Sequence, residues 1–263
     1  MSLHYLSSIK EQQPLNYNIT NELATNLAGN GLIALGASPA MSNTPEEAEE
    51  MAMAAQAVVL NLGTLTEDRA EAMLLAGKAA NQKEVPVILD PIAVGATVFR
   101  TNIIYDILNT IDVSVIKANA GEIAVLGGAL EKTESPDSAI TKNDPGVAES
   151  VARKYQTVVV STSQTDVITD GERTTLCENG HAMLQNITAS GCLLTSIVGA
   201  FASVAEDFYE SSVQAVSGYG IAAERAMEQL KGPGFLIPAL LDELYYLDDE
   251  AINTHQRLRS MEK

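Results

Sequence analysis

Short apolar runs, each followed by a helix start, recur along this chain and leave few architectures open. Residues 31–35 (GLIAL), 57–62 (AVVLNL), 85–90 (VPVILD), 113–117 (VSVIK) and 157–162 (TVVVST) are compact, rich in apolar residues and bounded by polar turns. That is the pattern of strands buried on both faces. The intervening segments carry helix signals. In Thr44-Pro45-Glu46-Glu47, threonine stands at the N-cap, proline at the first helical position and glutamate three residues after the cap. That helix is expected to run to about residue 55, a second from Thr66 to about 83, and others over 102–110 and 147–155. Asp170-Gly171 joins the β-prone runs 167–169 and 173–177 as a hairpin. Residues 3–13 read as a short polar helix. Helices are also expected over 191–206, 209–229 and 237–247, with a polar helical tail over 248–263. The polar stretch 131–145, broken by two prolines, reads as a surface excursion. With no internal repeat and no linker, the pattern predicts one α/β domain over residues 1–263, its central sheet mostly parallel and flanked by helices.

Charge narrows the function. Sixteen basic against 34 acidic residues give a formal charge of −18, which argues against nucleic acid or an anionic membrane as partner. A polyanion could bind only with a metal ion and local donors. The two cysteines, Cys177 and Cys192, form neither a disulfide framework nor a zinc motif, and His4, His181 and His255 are scattered. No apolar run approaches the ~20 residues of a membrane span and the opening residues do not resemble a signal peptide. The chain therefore reads as cytoplasmic.

In sheets of this kind ligands bind beyond the carboxyl ends of the strands. Asp90 ends one apolar run, and Glu122 falls on the first turn of a helix opened by Asn119, just after the next. Residues 186–201, NITASGCLLTSIVGAF, pass from small residues straight into an apolar helix. Ser190 is the expected N-cap, Gly191 permits close approach of a ligand, and Cys192 lies on the first turn beside any anion held by the free amides. Each feature has a plainer reading: Asp90 as a turn acid, Glu122 as a helix-start acid, the helix as a packed core element. Together they favour a magnesium–phosphate site, the requirement of phosphoryl transfer. No GxxxxGK[ST] segment occurs, and no GxGxxG follows a strand.

The motifs resemble, in order and over almost the whole chain, those of the hydroxyethylthiazole kinases of the ribokinase-like superfamily. They are Asn18-Ile-Thr-Asn21, Gly36-Ala-Ser-Pro-Ala-Met41, Asn61-Leu-Gly-Thr-Leu65, Leu89-Asp-Pro-Ile-Ala-Val-Gly-Ala96, Asn119-Ala-Gly-Glu-Ile123, Ile187-Thr-Ala-Ser-Gly-Cys192 and Gly232-Pro-Gly234. The resemblance implies a three-layer ribokinase-like fold and ATP- and Mg²⁺-dependent phosphorylation of 4-methyl-5-(2-hydroxyethyl)thiazole, a salvage step toward thiamine. It also implies a homotrimer with active sites between subunits. By motif position, Cys192 matches the catalytic cysteine; Asn18, Met41, Ala189 and Gly191 match the substrate site. Lys117, Asn119 and Thr162 match the ATP site, and Asp90 and Glu122 the metal-associated acids. Four positions depart from the usual pattern: Ala189 and Ser163 stand where glycine is common, Lys117 for arginine and Tyr17 for histidine. The alternatives are a ribokinase-like kinase of another small alcohol and a non-catalytic thiazole- or nucleotide-binding paralogue.

Overall fold

A computed structural model describes residues 4–130, 143–228 and 230–261. In chain order its elements are α1 (Tyr5–Gln12), β1 (Leu15–Ile19), α2 (Thr25–Leu35), β2 (Ser38–Met41), α3 (Pro45–Ala54), β3 (Ala57–Asn61), α4 (Glu67–Gln82), β4 (Val87–Asp90), α5 (Val98–Thr110) and β5 (Val115–Asn119). There follow α6 (Ala120–Leu126), α7 (Pro145–Tyr155), β6 (Val158–Thr162), β7 (Asp166–Thr169), β8 (Thr174–Cys177), α8 (Ser190–Ala202), α9 (Phe208–Met227), α10 (Leu236–Tyr246), α11 (Asp249–His255) and β9 (Leu258–Ser260). The strands form one sheet in the order β2-β1-β3-β4-β5-β6-β7-β8-β9. Pairing is parallel from β2 through β6 and antiparallel from β6 through β9.

Alternation along the strands builds the three layers. Val59, Ile88, Val115 and Val160 point into a core shared with α1, α2, α8, α9, α10 and α11. Val58, Leu60, Leu89, Ile116 and Val159 point into a second core under α3, α4, α5, α6 and α7. Helix α8 lies against the centre of the sheet, and Gly199 allows this. A Cβ at Gly199 would meet Val59 Cγ2 at 2.9 Å and Asn16 Nδ2 at 3.0 Å. Likewise, a Cβ at Gly31 of α2 would collide with Leu193 of α8 at 2.3 Å.

Several expectations are corrected. The run 31–35 is the end of α2, not a strand. Its buried positions Leu27, Ala28, Gly31, Leu32 and Leu35 follow helical spacing, and a five-residue apolar run cannot by itself distinguish helix from strand. Gly36, left-handed at φ 106°, ends that helix. The first strand is instead β1, where strand-poor asparagines hid the pattern. Asn16 and Asn18 face α8 and are bonded to it: Asn16 Nδ2 donates to Ser196 O (2.9 Å) and Ser196 Oγ to Asn18 Oδ1 (2.7 Å). Residues 38–41 form the edge strand β2, a place that tolerates Pro39. Helix α5 starts four residues early because Thr97 caps it through the Arg100 amide. A short strand, β9, follows the polar tail helix. The expected excursion over 131–145 lies mostly, and the end of the helix at 229 wholly, outside the described residues.

Ser190 is not an N-cap. It is the first residue of α8, and its hydroxyl donates backward to Leu184 O at 2.8 Å. The cap is Ala189, held left-handed at φ 65°, ψ 7°, a conformation that costs a residue bearing Cβ about 1–2 kcal/mol. Replacing Ala189→Gly is therefore expected to raise unfolding stability by about 1 kcal/mol, part of the relief being offset by glycine's larger unfolded-state entropy. Denaturant titration measures this; a loss of stability would contradict strain at the helix start.

Candidate active site

The carboxyl ends of β3, β4 and β5 converge on the N-terminus of α8. Asn61 and Asp90 close neighbouring strands in register, so their side chains meet. Asp90 is 2% exposed. Its Oδ2 accepts from Asn61 Nδ2 (2.9 Å) and from Thr195 Oγ1 on α8 (2.7 Å), and stands 3.9 Å from Lys117 Nζ. Burial pushes the Asp90 carboxyl above the usual range, while Lys117, Thr195 and Asn61 oppose it.

Glu122 is held by two loops at once. Oε2 accepts the Asn119 amide (2.9 Å) while Asn119 Oδ1 accepts the Glu122 amide (2.9 Å), a reciprocal capping box at the start of α6. Oε1 accepts the amide of left-handed Ala93 (2.8 Å), fixing the loop behind Asp90. Burial and then the neighbouring Asp90 push Glu122 up to about 7. Lys117 is buried among these acids. Desolvation alone would lower its pKa, but Asp90, Cys192, Glu122 and Asp166 together leave it raised, so it stays an ammonium. A Cβ at Gly191 would lie 3.0 Å from Lys117 Nζ; the glycine lets this cation rest against the first turn of α8.

Cys192 is half-buried on that turn. Asn21 Nδ2 donates to its Sγ (3.2 Å) and to Asn61 Oδ1 (2.9 Å), so Cys192, Asn21, Asn61 and Asp90 form one connected chain. Burial, then Asp90, raise the Cys192 pKa against Lys117 and Asn21, which keeps it a thiol near neutrality. No side chain caps α8, and the amides of Ser190, Gly191 and Cys192 are the positions an α-helix leaves free for an anion.

The other expected residues flank this centre. Met41 ends β2 beside Asn18, and both Met41 and Ala189 are partly buried at the edge of the α8-side core. Asn18 is fully buried, its amide donating to Asn16 O (2.9 Å) and its oxygen taken by Ser196. It supports α8 rather than facing open space. Asn119 and Thr162 pair across β5 and β6, with Thr162 Oγ1 donating to Ala118 O at 3.3 Å.

Sequence reasoning missed the supports. Asn61 was visible as the strand-end partner of Asp90, and Thr195 as a hydroxyl inside an apolar helix one turn after Gly191. Arg100 reaches from α5 to the carbonyls of Ile92 (3.1 Å) and Leu62, tying the exits of β4 and β3 together; nothing in its sequence context marked it. Among the described residues no group of three or more His, Cys, Asp or Glu side chains forms a metal cage. Two buried carboxylates beside an uncapped helix start suit a hard cation that keeps water and phosphate ligands.

The comparisons agree with this geometry. Residues 6–250 match the model of the hydroxyethylthiazole kinase family. The chain is 62% identical over 256 residues to hydroxyethylthiazole kinase 2 of Oceanobacillus iheyensis, covering 97% of this chain and 98% of that protein. Among solved structures it is similar to the hydroxyethylthiazole kinase protein of Pyrococcus horikoshii OT3, with 38% identity, TM-score 0.88 and 98% of each chain covered. A pyridoxal kinase from Staphylococcus aureus, solved with AMP-PCP, shares the fold alone at 14% identity and TM-score 0.63, over 94% of this chain and 99% of that one. The fold is ribokinase-like, and the chain belongs to the hydroxyethylthiazole kinase family.

Proposed function

We propose that this chain is an ATP-dependent kinase of the alcohol of 4-methyl-5-(2-hydroxyethyl)thiazole, acting in thiamine salvage. The carrying observation is the meeting of Cys192, Lys117 and the uncapped turn of α8 over the Asp90–Glu122 acids. Its fit to the family's chemistry and the 62% identity to a named hydroxyethylthiazole kinase support the reading.

In this reading Asn119 and Thr162 hold the nucleotide side, and Met41, Ala189 and Gly191 line the thiazole side, with Asn18 steadying α8 beneath them. The amides of residues 190–192 and the Lys117 ammonium stabilise charge on the phosphoryl group in transit. Cys192, kept as a thiol, orients the substrate hydroxyl; a loose transition state needs no strong base. Asp90 and Glu122 would hold Mg²⁺, which supplies neutralisation of the phosphate charge. Their fit to that ion rests on two neighbouring buried carboxylates, whose pKa values are raised chiefly by burial. The enzyme acts in the cytoplasm as a homotrimer. Leu23 and Ile33 near α2, and Phe235, Tyr245 and Tyr246 near α10, are large exposed apolar side chains, and α2 packs on α10, which supports a shared interface there.

Four measurements check this reading. With ATP and Mg²⁺ the protein should phosphorylate the thiazole alcohol in preference to a pyrimidine alcohol, and Cys192→Ala should lower kcat by about 100-fold. The opposite preference would favour a kinase of another alcohol, binding without turnover a non-catalytic relative, and an unchanged kcat would remove Cys192 from the mechanism. Because Glu122 titrates at about 7, its cation-binding carboxylate form is lost as pH falls through that value. The Mg²⁺ concentration for half-maximal rate should therefore rise about tenfold from pH 8 to pH 6; a flat profile would oppose Glu122 as a metal-associated acid. Light scattering should give three times the 27.9 kDa chain mass, and a monomer mass would exclude the trimer.

A further inference from the structure

The turn between β6 and β7 is gripped from both sides by residues that the proposed chemistry leaves unused. Asp166 opens β7 one residue before Val167, which pairs with Ser161; Asp166 therefore stands beside Thr162. Its Oδ1 accepts the Ser163 amide at 2.8 Å. From the opposite side Asn143 Nδ2 donates to Ser161 O (2.6 Å) and to Thr165 O (3.3 Å), while Ser161 Oγ donates to Asn143 Oδ1 (2.6 Å). Four hydrogen bonds thus fix a reversal of only three residues, 163–165, at the carboxyl end of the sheet. Short antiparallel strands need no such outside support to turn.

The position explains the investment. Strand alternation puts Val115 and Lys117 on the α8 face of β5, and Val158 and Val160 on the α8 face of β6. Thr162 continues that face upward, and Ile168 lies across from Val160, which brings Asp166 to the same face one step above it. The carboxyl is part of the Lys117 surroundings, and its desolvation there is a standing cost that a surface turn would not carry.

We propose that Asp166 and Asn143 are positioning residues that clamp the β6–β7 turn so that Thr162 meets the nucleotide in a fixed geometry. The inference rests on the reading of Thr162 as a nucleotide contact. Residue 163 takes part through its backbone amide, which any residue but proline would offer. The clamp acts through hydrogen bonds, and an amide side chain at 166 preserves the acceptor for Ser163 N.

The test compares wild type, Asp166→Ala, Asp166→Asn and Asn143→Ala by calorimetric binding of a non-hydrolysable ATP analogue and by separate KM values for ATP and the thiazole alcohol. Asp166→Ala is expected to weaken analogue binding and raise the KM for ATP by at least about fivefold, the loss of one net hydrogen bond, with the KM for the alcohol within twofold. Asp166→Asn should restore both nucleotide constants to within twofold of wild type. Asn143→Ala should move the same constants in the same direction, and decides the matter if Asp166→Ala fails to fold. Unchanged nucleotide constants in the alanine variants, equal shifts in both KM values, or an asparagine variant as poor as alanine would overturn the clamp. A wild-type protein that binds no analogue and phosphorylates nothing would overturn the underlying reading itself.

Discussion

A buried carboxylate at the end of a central strand is the constraint on which the rest of this site depends. Asp90 sits among apolar strands with Asn61, Thr195 and Lys117 as its partners. Taking such a charge out of water is costly unless it is paired and hydrogen-bonded, and the surroundings answer that demand from three directions. Asn61 comes from the neighbouring strand, Thr195 from the helix above and Lys117 from the strand beyond. Yet the balance stays acidic. Asp90, Glu122 and Asp166 crowd Lys117, with Arg100 facing Glu122 from the far side. Glu122 and Asp166 are both pushed up to about 7. In a chain of net charge −18, that local excess is what a divalent cation would relieve, and it is placed where an incoming phosphate could share the ion.

Helix α8 converts this charge cluster into a shaped site. Its first turn needs Gly191 for Lys117, its second supplies Thr195 to Asp90 and Ser196 to Asn18, and its end needs Gly199 to rest on β3 and β1. One helix is therefore pinned along its length by polar contacts and by the absence of side chains where backbone must come close. The left-handed Ala189 at its entrance is the price of that placement, and it sits where the amides must turn toward the crevice.

How much of this was legible in the sequence follows from range. The strands β3, β4, β5 and β6 were plain because apolar β-branched runs bounded by turns have few other uses. The Thr44-Pro45 helix start and the Asp170-Gly171 hairpin were plain for equally local reasons. Asp90, Glu122 and Cys192 could be singled out because each sits at a chemically distinctive element end. What escaped was decided by tertiary contacts. β1 carries asparagines that make sense only once Ser196 lies opposite them. The end of α2 looked like a strand until Leu193 was seen to need Gly31. Ser190 had the right chemistry for a cap, but the chain enters α8 one residue earlier, through Ala189. Arg100 gave no sequence signal because its partners are backbone carbonyls on other loops, and Asp166, bonded to the Ser163 amide of its own turn, matches no turn motif that its sequence displays.

The central claim is that the Asp90 charge serves catalysis at the expense of stability. Asparagine at that position keeps an oxygen for Asn61 and Thr195 while removing the charge. The most direct measurement is kcat of Asp90→Asn alongside its melting temperature. The account predicts a fall in kcat of at least about 100-fold, a few kcal/mol of lost transition-state stabilisation, with a melting temperature equal to or above that of wild type. A variant that keeps its kcat, or one that loses activity only in step with a collapse in melting temperature, would contradict it.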